Sequence, residues 1–220
     1  MSRLRTSGPA SVPRSACAQP RTRPTNLLRS LDSTYRRLAR AWSADELADR
    51  YHAAVQRGSS DLPADEEPPD RPITILATAV PRLISLAVAT TVLHTLPGTA
   101  EDRDGLAREL MATIDATATG SLHRAHLALD ADSRTRGYDP DDWLTLVYDQ
   151  AADTLAMASA TSEPPGLIEH AQQAGRFAAL AIGSLDRDSP SVPEAICDCL
   201  GHLLFVCLFA DAARDRQPGS

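Results

Sequence analysis

Residues 197–207 read Cys197-Asp-Cys-Leu-Gly-His-Leu-Leu-Phe-Val-Cys207, and whether this stretch is a set of metal ligands or a helix decides the fold. It holds three of the chain's four cysteines and one of its six histidines. On a helix turning about 100° per residue, with Cys199 set at zero, His202 falls near about −60°, Cys207 near about +80° and Cys197 near about +160°. Groups spread so widely around one axis cannot close on one tetrahedral ion. Upstream, Ser191-Val-Pro-Glu194 has the form of a capping box, in which the serine and the glutamate satisfy each other's free N–H groups. The stretch therefore belongs to a helix from Val192 to about Arg214, whose cysteines act as small apolar core residues. No metal site is expected. Only Cys199 and His202 share a face, which leaves open whether a third polar group meets them from another helix.

Working outward from this helix, the chain shows the same period throughout. Leu28, Leu31, Tyr35, Leu38 and Trp42 alternate at spacings of three and four, and Ser43 with Glu46 opens a second helix through Leu47, Tyr51 and Val55. Residues 26–57 are read as a helical hairpin. Residues 58–72, GSSDLPADEEPPDRP, form an acidic, proline-rich linker. Residues 73–96 are apolar on nearly every face and are expected to be a central buried helix, kinked at Pro81. A bilayer span needs about 20 such residues, but Pro81 and Arg82 sit mid-segment among several Thr and Ser, so no membrane span is expected.

Farther along, Thr99 caps a helix carrying Leu106, Leu110, Met111 and Ile114, which Gly120 is expected to break before Leu122, Ala125, His126 and Leu129. A loop, DADSRTRGY, should follow. Asp139-Pro-Asp-Asp announces the next helix with an N-cap, a first-turn proline and two acids against the helix dipole. Ile168, Ala171, Ala174, Gly175, Ala178 and Ile182 then make a stripe of small residues against which a neighbouring helix can come close. The expected architecture is all-α: a disordered basic tail over residues 1–25, the hairpin, the linker, and a helical bundle of about six helices over residues 73–216.

Composition excludes several chemistries. The chain contains no lysine, which removes the P-loop, the pyridoxal Schiff base and the protein-kinase phosphate clamp together. Its glycines never occur as G-x-G, and no G-x-S-x-G elbow is present. Asp139-Pro-Asp141-Asp142 has the D-x-D-D form of olefin-protonating cyclases, but capping accounts for all three acids. His123 and His126 lie side by side at i and i+3, yet no E-x-x-H accompanies them to build a carboxylate-bundle metal site. No cofactor is predicted.

The net charge of −7 divides into +8 over residues 1–40 and −15 over the remainder, a basic arm on an acidic body. With no hydrophobic signal segment and no dense cysteine pattern, the expected compartment is the cytoplasm; an Arg-rich, Ser-rich start also suits an organellar transit peptide. Arg3, Arg5, Arg14, Arg21, Arg23, Arg29, Arg36, Arg37 and Arg40 are candidate anion contacts, with nucleic acid as the alternative partner. The preferred expectation is a non-enzymatic interaction or regulatory protein that self-associates as a homo-oligomer, because a narrow seam on a hairpin outside the bundle needs a partner. The alternative is a small-molecule-binding bundle or a small enzyme, with His126, Asp153, His170, Cys199 and His202 as pocket candidates.

Overall fold

The computed structural model describes residues 31, 33, 35–37, 42–60, 71–136, 139–160, 165–184 and 191–214. The fold is all-α, with no strand among the described residues. Among the described residues these α-helices follow in order: α1, Ala44–Ser60; α2, Pro72–Val92; α3, Ala100–Arg136; α4, Pro140–Ala160; α5, Leu167–Ser184; and α6, Ser191–Arg214. A 3-10 turn, Leu93–Thr95, joins α2 to α3. Leu31, Ser33 and residues 35–37 are helical too and form a leading segment. The expected tail over residues 1–25 and residues 61–70 of the expected linker lie outside the described residues.

Local signals start the helices where the sequence places them. Ser43 and Glu46 form the reciprocal box ahead of α1: the Ser43 N–H donates to Glu46 Oε2 at 2.8 Å and the Glu46 N–H donates to Ser43 Oγ at 3.3 Å. Thr99 and Asp102 repeat this at the start of α3, at 2.8 and 3.1 Å. The helix α4 starts on Pro140 directly after Asp139, and α2 starts on Pro72.

Two expectations about breaks are corrected. Gly120 does not end a helix, and the segment expected as a loop from Asp130 is helical to Arg136, so α3 is one continuous element of 37 residues. Its buried stripe, Met111, Ile114, Ala118, Leu122, Ala125 and Leu129, crosses Gly120 at unbroken spacings of three and four. Burying that stripe outweighs a glycine penalty of about 1 kcal/mol. The helix α2 holds Pro81 in its interior, as the reading of one helix over this segment expects.

The centre of the molecule is α6. From Ala195 to Ala210 only Asp198 escapes full burial, so the stretch at residues 197–207 is core on every face. Around it pack α1, α3, α4 and α5, with Tyr35 of the leading segment against Phe209 at a ring separation of 5.0 Å. The expectation that residues 73–96 form the central buried helix is corrected: α2 lies outside, packed on α3 and α5, and barely touches α6. By length and composition α2 and Pro193–Arg214 could each cross a membrane, but 89% of the apolar window in α6 is buried against 44% in α2.

At its described positions Leu31 and Tyr35, the seam of the leading segment is covered by the chain itself. Leu31, Tyr35, Leu47, Tyr51 and Ala54 are fully buried in the same core as α6. The described part of this seam therefore finds its partner within the chain.

Two glycines permit close helix crossings. A Cβ on Gly58 of α1 would lie 2.1 Å from the Thr119 carbonyl oxygen of α3, and one on Gly175 of α5 would lie 2.9 Å from Ile84 Cδ1 of α2. The second contact is the close approach that the small-residue stripe foretold. Beside the first, Arg57 of α1 reaches Asp211 of α6 at 2.9 Å and Asp115 of α3 at 3.8 Å, while Arg214 meets Asp115 at 3.3 Å. This shared charge cluster joins three helices at one end of the bundle.

Candidate functional site

The question left by Cys199 and His202 has a definite answer. His202 on α6 meets His170 on α5, Nδ1 to Nδ1 at 3.4 Å, and the other nitrogen of His170, Nε2, lies 2.7 Å from the Tyr35 hydroxyl. Antiparallel packing of α5 on α6 sets the two histidines face to face, and the leading segment lays Tyr35 over them. The rings are held by aromatic neighbours: His170 stacks on Phe205 at 4.8 Å and His202 on Phe177 at 5.6 Å. Tyr35 is 1% exposed, His170 2% and His202 6%.

Burial decides the protonation. His170 is pushed down to about 3, first by desolvation and then by the charge His202 would carry, with the Pro165 carbonyl opposing both. Burial also pushes His202 down to about 4. Both imidazoles are therefore neutral, and the tautomer each adopts sets the direction of its hydrogen bonds. The Tyr35 hydroxyl and His170 Nε2 share one hydrogen bond, and the two Nδ1 atoms share another in which one ring donates and the other accepts. The result is a polarised chain running from the leading segment through α5 into α6.

The thiols take no part in it. Burial pushes Cys197 up to about 12, with Asp198 and Glu194 adding to the shift, and raises Cys199 and Cys207 further. Such thiols are neither nucleophiles nor ready metal ligands. No group of three or more His, Cys, Asp or Glu side chains poised for a metal occurs among the described residues.

The other sequence candidates do not converge on this chain. His126 lies in a separate aromatic cluster, with Tyr51 hydroxyl to its Nδ1 at 3.4 Å and the Trp143 ring at 5.0 Å. Burial lowers its pKa as well. Nearby, the Tyr148 hydroxyl lies 3.0 Å from His52 Nε2. Asp153 is exposed on α4, and Cys199 is buried without joining the histidines. Of the candidate anion contacts, Arg36 is half-buried and Arg37 exposed, while Arg3, Arg5, Arg14, Arg21, Arg23, Arg29 and Arg40 lie outside the described residues.

Sequence reasoning missed Tyr35 as a site residue because it occupied a seam position. The available signal was its hydroxyl, which needs a partner wherever that seam is buried. Comparison with protein-family models, with curated proteins and with solved structures yields no match to this chain.

Proposed function

We propose that the chain is a non-enzymatic interaction protein that associates with a second copy of itself through the outer face of α2. The observation that carries this reading is the exposed row Thr74, Thr78, Pro81, Ser85, Val88 and Val92. Its spacings of four and three, repeated over the whole helix, are those by which helices pair. All six residues are uncharged and four are Thr, Pro or Ser, in a protein whose residues are 23% charged. The hydroxyls of Thr78 and Ser85 donate to the carbonyls of Thr74 and Pro81, at 3.0 and 2.9 Å, so they make little demand on solvent. Small side chains with internally bonded hydroxyls let a facing helix approach closely. Exposed Val88 and Val92, at 42% and 47%, supply the apolar part of the contact.

The test is the mass of the full chain in solution at micromolar and higher concentration. The wild type is expected as a dimer, and Ser85→Arg or Val88→Arg as a monomer of unchanged helicity. A monomeric wild type, or variants that keep the dimer mass, would sink the reading; flotation of the chain with lipid vesicles would assign the same face to a membrane surface instead.

A small-molecule site remains the second reading, supported by the convergence of Tyr35, His170 and His202. Burial of all three leaves the interaction reading ahead.

A further inference from the structure

We infer that the self-association face does not end at α2 but continues onto α5, so that a second copy of this chain lays its α2 across both helices, over Gln172, Ala179, Ile182 and Gly183. This rests on the self-association reading and adds the residues of a second helix to it.

The crossing at Gly175 fixes how the two helices stand. A Cβ there would lie 2.9 Å from Ile84 Cδ1 and 3.5 Å from Val80 Cγ1, so Gly175 faces that side of α2. With Val80 set at zero and about 100° per residue, Ile84 falls near about +40°, Val88 near about +80° and Pro81 near about +100°, with the rest of the exposed row between about +120° and about +160°. The row therefore begins directly past the line of contact with α5. Buried Ala79, Leu83 and Thr90 lie on the other side of that line, between about −60° and about −100°. On α5, with Gly175 at zero, exposed Ile182, Ala179, Gln172 and Gly183 fall near about −20°, about +40°, about +60° and about +80°. Buried Ala171, Ala178 and Ala174 fall between about −40° and about −100°. In each helix the core lies to one side of the contact line and the exposed row to the other, which makes the two rows neighbours on one outer surface.

Direction sets which residues stand side by side. Antiparallel to α6 runs α3, whose Asp115 meets Arg214 while its His126 packs on Trp143, the residue whose carbonyl accepts from Cys197. The short turn Leu93–Thr95 sends α2 back along α3, and α5 is antiparallel to α6, so α2 and α5 are antiparallel to each other. Counted from Gly175 opposite Val80 and Ile84, Ile182 stands beside Thr74, Ala179 beside Thr78 and Gln172 beside Ser85. The polar end of the α2 row thereby gains an apolar neighbour, Ile182 at 46% exposure, to match Val88 and Val92 at the other end. The joined surface carries no charge: Arg82 borders it on one edge, Glu169 and Arg176 on the other, a polar rim around an uncharged centre.

Size calls for the second helix. The α2 row alone, about 27 Å long on a helix about 10 Å across, offers a footprint of about 270 Å². Each partner of a stable dimer gives up about 800 Å² of accessible surface. Adding α5 about doubles the footprint, and the small side chains at Gly175, Ala179 and Gly183 let a helix lying between α2 and α5 touch both. A Cβ on Gly183 would meet nothing within 4 Å, so that space is open to a partner.

Sedimentation equilibrium of the full chain tests this. Ala179→Arg and Gly183→Arg put a charge at exposed positions of α5, where helicity by circular dichroism should be unchanged, and each is expected to raise the dimer dissociation constant about a hundredfold, as Ser85→Arg does. Met157→Arg, at a position of α4 that is 58% exposed, should leave the dimer as it is. A monomeric wild type removes the self-association reading and this one with it. A dimer lost in Ser85→Arg but kept in both α5 variants leaves the α2 face standing and overturns its extension onto α5. Equal weakening by Met157→Arg overturns the extension too, because the effect then belongs to added charge and not to place.

Discussion

At the scale of single residues, two glycines in helices have opposite meanings. Gly58 faces the Thr119 carbonyl, and a Cβ there would sit at 2.1 Å from backbone oxygen that cannot step aside. Gly58→Ala is expected to destabilise the fold by about 3 kcal/mol, measured by urea unfolding, because α1 and α3 must separate. Gly120 is buried, yet a Cβ on it would meet nothing within 4 Å. Gly120→Ala should therefore raise stability by about 1 kcal/mol through helix propensity alone. An unchanged or lower urea midpoint for Gly120→Ala would show that the glycine serves something besides the helix.

At the scale of elements, the helices and their starts were legible because they rest on local chemistry. The box at Ser43, the cap at Thr99 and the Asp139-Pro140 start each concern a few neighbouring residues, and each forms where expected. Helix ends were less legible: Gly120 and the polar run after Asp130 look like breaks, but a stripe packed against other helices carries α3 through both. The assignment of the central helix failed for a related reason. An apolar count cannot separate α2, whose Thr78 and Ser85 satisfy their hydroxyls on their own backbone and remain exposed, from α6, which is enclosed. The docking face proposed for the row from Thr74 to Val92 rests on that distinction, so loss of a dimer in Ser85→Arg is the result that would separate the two kinds of apolar helix.

At the scale of the whole molecule, the candidate site depends on three helical segments and was legible only in part. The shared face of Cys199 and His202 pointed toward the right place, but His170 lies on another helix and Tyr35 at a separation of 135 residues from it. No spacing rule connects such positions. The same long-range burial sets the acid limit of the fold. His170 and His202 have values below 6.5 when folded, so the unfolded chain binds more protons than the folded one as soon as the pH falls below that value. Stability is expected to be full above pH 6.5 and to fall by about 1.4 kcal/mol per pH unit for each histidine down to their folded values. Urea midpoints that stay level from pH 7 to 5 would contradict that burial.

The enclosure of α6 also bears on how the protein is made. Every helix that sheathes it precedes it in the chain, so each leaves the ribosome with its apolar face directed at a space still unfilled. Nascent chains that end before Ser191 therefore lack the helix on which α3, α4 and α5 pack. Those faces are therefore expected to be covered only once α6 is made, the shorter nascent chain exposing them to chaperones.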